Sequence, residues 1–211
     1  MGYVDTLVNH ELSEAHKRLA EKIQSDLIFY YGPMNFETPR IFEESIATNA
    51  PKRRKLSVVL TTGGGAVEPV ERAVEIIRQR YQSVHFIVPD YAMSAGTIFC
   101  MSGNKISMSK SSSLGPIDPQ VQRHDGTYVP AMGYLEQFEK IVKKSKTGEV
   151  SPAEIDMLRR LDLGDLNRFE QARNLTVTLL KKWLVNYKFK YWKTHRSTPG
   201  KKGLPVTMAE K

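Results

Sequence analysis

Two glycine-containing segments, each placed where a predicted strand gives way to a predicted helix, constrain this chain more than any other feature. Residues 61–66 read Thr-Thr-Gly-Gly-Gly-Ala and follow the apolar run 56–60. Residues 92–97 read Ala-Met-Ser-Ala-Gly-Thr and follow the apolar run 84–88. Parallel strands joined by a right-handed crossover bring their carboxyl ends to the same edge of a sheet. The sequence therefore predicts a glycine-lined backbone pocket beside an exposed serine, Ser94.

These residue types suit acyl transfer. Consecutive glycines permit backbone conformations that turn N–H groups toward a developing oxyanion without a Cβ clash. A serine at a helix N-terminus is favoured by the helix dipole, and its small neighbours Ala95 and Gly96 leave room for a carbonyl substrate. The pattern predicts a nucleophile together with its oxyanion hole.

The sequence resembles the Clp/crotonase-fold serine peptidases. Within them it is most similar to the serine dehydrogenase proteinase group, relatives of the Clp proteolytic subunit and of signal peptide peptidase A. The likeness begins near Asp26 and extends to the C-terminus, and it is sharpest at residues 60–65, 88–97 and 114–120. The three motifs together are specific, whereas any one of them alone would be weak.

The resemblance implies both a fold and a set of site residues. The fold would be α/β, ClpP/crotonase-like, built of repeated β-β-α units with a C-terminal helical extension. Ser94 would be the nucleophile of a serine endopeptidase. The amide of Gly64 or Gly65, with the amide of Ala95, would form the oxyanion hole.

Apolar periodicity predicts the organisation of the rest of the chain. We expect an N-terminal helix within residues 1–25, a catalytic core over residues 26–165, and a C-terminal helix with a basic tail over residues 166–211. Besides the helices that follow the two glycine-containing segments, helices are predicted in five further places and strands in four. The helices are 11–28, 36–46, 134–144, 166–190 and one capped by Ser151; the strands are 26–33, 56–60, 84–88 and 105–108.

The sequence does not single out one general base for Ser94. A serine hydroxyl loses its proton as it attacks, so it needs a neighbouring histidine or a lysine of lowered pKa. Resemblance to the Clp proteolytic subunit would place a histidine near Ile117 or Asp118, and this chain has none there. His124 follows a few residues later, in a segment that is typical of an exposed loop.

Peptidases of the signal peptide peptidase A type instead use a lysine from a helix roughly forty to fifty residues after the serine. Four lysines of this chain fall in that window: Lys140, Lys143, Lys144 and Lys146. We favour Lys143, because the apolar face formed by Leu135, Phe138 and Val142 places it near the inner border of the helix. Alignment with the motifs of one related subgroup would place its dyad lysine at Gly133 or Tyr134, where this chain has no lysine, so the base stays open.

Composition bounds the class of protein without deciding its activity. With 211 residues, 40% of them hydrophobic, the chain can bury one substantial core. The single cysteine, Cys100, excludes an internal disulfide and is expected to be a small buried apolar residue. The polar N-terminus and the lack of a long apolar run favour a soluble cytoplasmic protein. No pattern predicts a cofactor or a metal site.

The net charge of +8 resides in the C-terminal segment. Residues 181–203 contain eight Lys and Arg and no acid. Interleaved bases and aromatic residues could stack on single-stranded nucleic acid. The helical spacing of Trp183, Leu184, Tyr187 and Tyr191 favours packing against a core or a second subunit instead, so a nucleic-acid partner is disfavoured.

The expected partners are a peptide or protein substrate and further copies of the same chain. The resemblance implies a closed homo-oligomeric ring, with the aromatic-rich segment 183–192 and the apolar face of residues 134–142 as candidate contacts. The sequence does not decide whether an ATPase or a membrane protein assists. The alternatives to a peptidase are a catalytically inactive ring subunit or scaffold and a crotonase-type acyl-CoA enzyme.

Overall fold

Four parallel strands form the central sheet of this protein. The structure, a computed structural model, describes residues 3–49, 51–118 and 120–191. The elements in chain order are α1 Tyr3–Ile23, β1 Asp26–Tyr31, α2 Thr38–Thr48, β2 Lys55–Thr61, α3 Glu68–Arg80, β3 Ser83–Val88, β4 Tyr91–Ala92, α4 Ala95–Met101, β5 Lys105–Met108, β6 Ser113–Leu114, β7 Gln120–Gln122, β8 Tyr128–Pro130, α5 Ala131–Thr147, α6 Pro152–Arg159, α7 Leu163–Trp183 and a π-helical turn Leu184–Lys188. The predicted basic tail beyond Tyr191 lies outside the described residues.

The sheet has the order β1-β2-β3-β5, and every pair in it is parallel. One row of apolar residues crosses it in register: Ile28 lies opposite Val58, Val58 opposite Phe86, and Phe86 opposite Ile106. Because β2 and β3 run in the same direction, their carboxyl ends meet at one edge, as predicted. There β4 and β6 form a small parallel pair, which a bridge between Thr62 and Ala92 joins to the end of β2.

The main core lies on one face of this sheet. Leu56, Val58 and Leu60 alternate along β2, so they share that face, and all three are fully buried. Residues of α3, α4 and the C-terminal end of α7 belong to the same buried cluster. Trp183 is also inside this core, with 2% of its surface exposed. The expectation that the aromatic positions of the basic segment serve packing is therefore confirmed at Trp183.

A partly buried cation on α3 contacts the π-helical turn that follows α7 and the loop between α4 and β5. The guanidinium of Arg78 lies 3.8 Å from the centre of the Tyr187 ring and donates to Asn104 Oδ1 and to the Ser102 carbonyl. Burial lowers the pKa of Arg78 to about 10. The C-terminal helix thus belongs to the core as much as to an extension, and the expected division of the chain at residues 25 and 165 stays a prediction.

A second, smaller cluster packs beside the main core. It comprises Ala131, Leu135, Leu166 and Phe169, with Val121 and Val129 of the β7–β8 hairpin packed against it. We call the elements around this cluster the hairpin–helix unit: β7, β8, α5, α6 and the N-terminal half of α7. The helix predicted after Ser151 is confirmed here as α6, where Ser151 and Glu154 form a capping box.

The N-terminal helix differs from its prediction. It begins by Tyr3 and ends at Ile23, five residues before the predicted end, because the chain must extend from Asp26 to pair with β2. The expected apolar face is not buried, since Leu12 is 62% exposed. Among the described residues, no helix combines the length and the apolar character needed to cross a bilayer.

Candidate active site

Ser94 lies at the sharp turn between β4 and α4, at the sheet edge that the sequence predicts. Its backbone angles are φ 49° and ψ −119°, a conformation that L-residues rarely adopt. Serine nucleophiles of other hydrolases occupy similarly strained strand-to-helix turns. Such strain costs about 1–3 kcal/mol and persists only where the surroundings enforce it. Here the Met93 amide donates to the Thr62 carbonyl and the Gly96 amide donates to the Met93 carbonyl.

The glycine segment approaches this turn more closely than a side chain would allow. Gly64 has a φ of +94°, and a Cβ built on it would lie 2.8 Å from Ser94 Cβ and 2.6 Å from the Met93 carbonyl oxygen. Gly65 has a φ of +148°, and its Cβ would clash with the Met34 carbonyl oxygen on the other side. Both positions therefore require glycine, for close approach as well as for conformation.

Two backbone amides next to Ser94 have no acceptor among the described residues. The first is Ala95 N–H, which has no intrahelical partner because it opens α4. The second is Gly65 N–H. The Gly64 amide, in contrast, already donates to Thr62 Oγ1 at 3.0 Å. Of the two glycine amides expected from the sequence, only that of Gly65 lacks a hydrogen-bond acceptor among the described residues.

The three sequence motifs interlock around the serine. A Cβ on Gly96 would clash with Thr62 Cγ2, and one on Gly115 would clash with the Met93 side chain. The Thr97 hydroxyl donates to the Ala92 carbonyl at 2.7 Å and to the Gly115 carbonyl at 3.1 Å. The third motif therefore supports the turn that carries Ser94.

The Ser94 hydroxyl donates to the main-chain carbonyl of Asp118 at 2.6 Å. The Asp118 side chain in turn accepts the Met132 amide through Oδ1 at 3.0 Å, which joins it to the first turn of α5. This acceptor lies where the resemblance would place a histidine. The sequence did not predict this acceptor, because every residue has a main-chain carbonyl and the residue type does not show which carbonyl will accept.

The structure does not bring Lys143 to Ser94. Lys143 is exposed, and the expectation that it lies at the inner border of its helix is wrong. The buried face of α5 is instead centred on Ala131, Leu135 and Ile141. Lys140 and Lys146 are exposed as well, and Lys144 forms an ion pair with Glu154 at 2.6 Å.

His124 lies on the β7–β8 hairpin and is paired with a buried carboxylate. Its Nδ1 lies 3.0 Å from Asp165 Oδ2, and its main-chain amide donates to Asp165 Oδ1 at 3.2 Å. The hydrogen bond and the charge of Asp165 raise the pKa of His124, and the same hydrogen bond lowers the pKa of Asp165. The sequence predicted the exposed loop but not this partner, which comes from a helix far along the chain.

Cys100 is fully buried on α4, as expected. Burial raises the pKa of its thiol to about 12, so the thiolate is not available as a second nucleophile.

The fold and the site together define a class of protein: an α/β scaffold that presents a strained serine beside two free backbone amides. Over residues 35–195, the chain matches the family described as ClpP-like SDH-type serine proteinase, and it belongs to that family. The match covers the sheet from β2 onward, both glycine motifs, the hairpin–helix unit and the end of α7.

Relatives and solved structures resemble parts of this chain. Uncharacterized protein MJ0137 of Methanocaldococcus jannaschii is 33% identical over 75 residues, 36% of this chain and 26% of the relative. Uncharacterized protein MJ1495 of the same organism is 30% identical over 88 residues, 42% of this chain and 28% of the relative. The chain thus matches little more than a quarter of the length of these curated relatives.

Among solved structures, a variant of the 1510-N membrane-bound stomatin-specific protease in complex with a substrate peptide is 23% identical, with a TM-score of 0.42 and 54% of each chain covered. The ClpP protease catalytic domain from Plasmodium falciparum is 13% identical, with a TM-score of 0.33, 40% of this chain covered and 52% of the other.

Proposed function

We propose that this protein is a serine endopeptidase that cleaves peptide bonds through an acyl-enzyme on Ser94. The observation that carries the proposal is the pair of unengaged amides, Gly65 N–H and Ala95 N–H, on either side of a serine held in a strained turn. Donors held in place before the reaction are the main source of stabilisation in acyl transfer. Membership of a serine proteinase family supports the same activity.

In the proposed reaction, Ser94 Oγ attacks the carbonyl carbon of the scissile bond while a base takes the hydroxyl proton. The negative charge that develops on the carbonyl oxygen is stabilised by the amides of Gly65 and Ala95. Collapse of this intermediate breaks the C–N bond, and the base returns its proton to the leaving amine. Water then hydrolyses the ester on Ser94 by the same steps in reverse order.

For the base we retain Lys143 as the proposal and His124 as its rival. Lys143 is on α5, whose first turn is joined to Asp118 and through it to the serine. Either candidate requires the Ser94 hydroxyl to leave the Asp118 carbonyl, because a carbonyl oxygen cannot accept the proton as a base does. A movement of α5 or of the β7–β8 hairpin would have to accompany this rotation.

A catalytically inactive subunit or scaffold is the second candidate. It is favoured by one observation: the only hydrogen-bond acceptor of the Ser94 hydroxyl among the described residues is a main-chain carbonyl rather than a titratable group. In such a protein Ser94 would remain from the family motif without a catalytic role.

Family membership also supports peptide substrates and assembly of identical subunits into a closed ring. Trp183, expected at the subunit contact, is buried in its own core and cannot serve there. Tyr134 and Phe138 on α5 are half-buried and stay available for that role. Light scattering should give a multiple of the 24.0 kDa chain mass at micromolar concentration; the mass of a single chain would refute the ring.

The deciding experiment compares Ser94→Ala with wild type in labelling by a fluorophosphonate probe and in hydrolysis of fluorogenic peptides. We expect Ser94→Ala to abolish both, since loss of a nucleophile costs several orders of magnitude in rate. Ser111→Ala is the matched control, because Ser111 is exposed in the loop between β5 and β6. A folded wild-type protein that is neither labelled nor active would favour the scaffold.

A further inference from the structure

Thr62 lies between the two halves of the candidate site and contacts both of them. Its hydroxyl oxygen accepts the Gly64 amide at 3.0 Å. Its methyl group fills the space where a side chain on Gly96 would lie, against the first turn of α4. Its main-chain amide donates to the Tyr91 carbonyl and its carbonyl accepts the Met93 amide, one residue before the serine. Thr62 is 2% exposed, so these contacts are shielded from water.

The hydrogen bonds of Gly64 determine where the neighbouring oxyanion donor points. Thr62 Oγ1 holds the N–H of Gly64, and the Met34 amide holds its carbonyl at 2.8 Å. A trans peptide unit is planar, so the Gly65 N–H points opposite to the Gly64 carbonyl. Because that carbonyl points to Met34, the Gly65 N–H must point away from Met34.

Glycine needs such external restraint more than any other residue. Without a Cβ, Gly64 and Gly65 have access to conformations on both sides of φ zero, and each could turn its amide elsewhere. Gly64 is held at a φ of +94°, with its backbone against Met93 and Ser94. Loss of the bond to Thr62 would release one of the two restraints on this residue. The bond from the Met34 amide to the Gly64 carbonyl would remain, so the Gly65 amide would keep its mean direction but vary more widely about it.

We propose that Thr62 is a positioning residue that orients the Gly65 amide toward the oxyanion through its hydrogen bond to the Gly64 amide. This inference rests on the proposed function for its catalytic consequence. The hydrogen bond to Gly64 is a structural feature that can be measured with or without activity. Thr62 does not touch the substrate in this proposal and acts only through the glycines.

The test compares Thr62→Val, which keeps the shape and loses the acceptor, with Thr62→Ser, which keeps the acceptor and loses the methyl. Thr176→Val is the matched control, because Thr176 is a buried threonine of α7 whose hydroxyl has no partner among the described residues. The first measurement is hydrogen exchange at the Gly64 amide. We expect faster exchange in Thr62→Val and wild-type protection in Thr62→Ser and Thr176→Val.

The second measurement is peptide hydrolysis together with the rate constant for fluorophosphonate labelling. Loss of a whole oxyanion donor costs about a hundredfold or more in kcat, so disorientation of one donor should cost on the order of tenfold. We expect this fall in kcat for Thr62→Val with little change in KM, and recovery to within about threefold of wild type in Thr62→Ser.

The two measurements separate the possible failures. Wild-type exchange at Gly64 in Thr62→Val would overturn the inference whether or not the protein is active. Faster exchange with an unchanged labelling rate would overturn the positioning role while leaving the nucleophile in place. A wild-type protein that is never labelled would refute the proposed function and the positioning role with it, and the exchange data would then report only the local bond.

Discussion

The sheet edge that carries Ser94 and the hairpin–helix unit beside it are built in different ways. At the sheet edge, main-chain atoms touch main-chain atoms, and glycines stand where side chains would collide. The hairpin–helix unit is built around a cluster of four buried apolar residues and is joined by side-chain pairs such as His124 with Asp165 and Arg173 with Glu139. The sheet edge is fixed by close main-chain packing. The hairpin–helix unit is held by charged side-chain pairs that pH, salt or a ligand can change.

This difference explains which parts of the proposed reaction are prepared in the structure. Ser94, the proposed nucleophile, and the amides of Gly65 and Ala95, the proposed oxyanion donors, all belong to the sheet edge. Both candidates for the base, Lys143 and His124, belong to the hairpin–helix unit, and neither contacts the serine. We infer that the side chain that acts as the base changes its position relative to Ser94. The experiments below test the contrast between the two regions.

The largest effect is expected from Gly65→Ala at the sheet edge. The new Cβ would meet the Met34 carbonyl, and a φ of +148° is strained for alanine. We expect complete loss of probe labelling and destabilisation of about 2 kcal/mol or more. Chemical denaturation and labelling measure the two effects. Gly133→Ala on α5 is the control: its Cβ would meet nothing within 4 Å, so stability should rise by up to about 1 kcal/mol. Equal effects of the two changes would refute the contrast.

The next largest effect concerns the base. If Lys143 accepts the serine proton, Lys143→Ala should lower kcat by about 10²–10⁴, the usual contribution of a general base. Lys140→Ala, Lys144→Ala and His124→Ala should each leave kcat within a few-fold of wild type. Full activity of Lys143→Ala would refute this residue as the base. The proposed role of Ser94 as the nucleophile would not be affected. Loss of activity in His124→Ala alone would transfer the role to the histidine.

A third experiment asks whether the hairpin–helix unit opens separately. Phe169 is 1% exposed in the small cluster, and Phe169→Ala should cost about 3–5 kcal/mol locally. We expect amides of α5 to lose protection from hydrogen exchange while amides of β2 and β3 keep theirs. Phe86→Ala, in the main core, should lower protection in both regions. Uniform loss of protection in both variants would show that the protein opens as one unit.

The smallest effect is a pH dependence within the hairpin–helix unit. Asp165 raises the pKa of His124, so the stability from their pair is complete below the ordinary histidine pKa of about 6.5 and is lost as pH rises through the raised value. The pKa of Asp165 is lowered, so its contribution is lost only in strong acid. Wild type should therefore exceed His124→Gln in Tm most near pH 5, by no more than about 2 °C, and less at pH 8.

Lys144→Gln provides the control for this pH dependence. The pKa of Glu154, held low by Lys144 and by the cap at Ser151, is about 2, so the stability it contributes is present above the ordinary glutamate pKa and lost only as pH falls toward 2. The Tm difference between wild type and Lys144→Gln should stay constant between pH 5 and pH 8. A wild-type advantage over His124→Gln that is equally constant would contradict the role of the histidine.

Much of the fold could be predicted from the sequence because its signals are local. Apolar runs predicted the strands at β2, β3 and β5, and the glycine and serine motifs predicted the edge at which they meet. The predictions that failed concern positions whose environment depends on residues far away in the chain. On α1, Leu12 of the expected apolar face is exposed, and Leu19 and Ile23 are only half-buried. On α5, Lys143 is exposed because the buried face carries Ala131, Leu135 and Ile141.

Within the site, the sequence left Gly64 and Gly65 as equal candidates for the oxyanion amide. The structure separates them through a side chain, because Thr62 Oγ1 has already engaged Gly64. Residue types predict which groups are capable of a role, whereas hydrogen-bond partners decide which of them are free. The same limit applies to Asp118, whose carbonyl and carboxylate act on different parts of the chain.

Asp118 makes the serine sensitive to the placement of a helix that it does not touch. The carbonyl of this residue holds the Ser94 hydroxyl, and its carboxylate holds the amide of Met132 at the head of α5. A displacement of about 1 Å in a reacting group can change a rate a hundredfold. A single residue therefore connects the head of α5 to the proposed nucleophile. We expect that a substrate or a second subunit bound to that helix would change when the Ser94 hydroxyl is released.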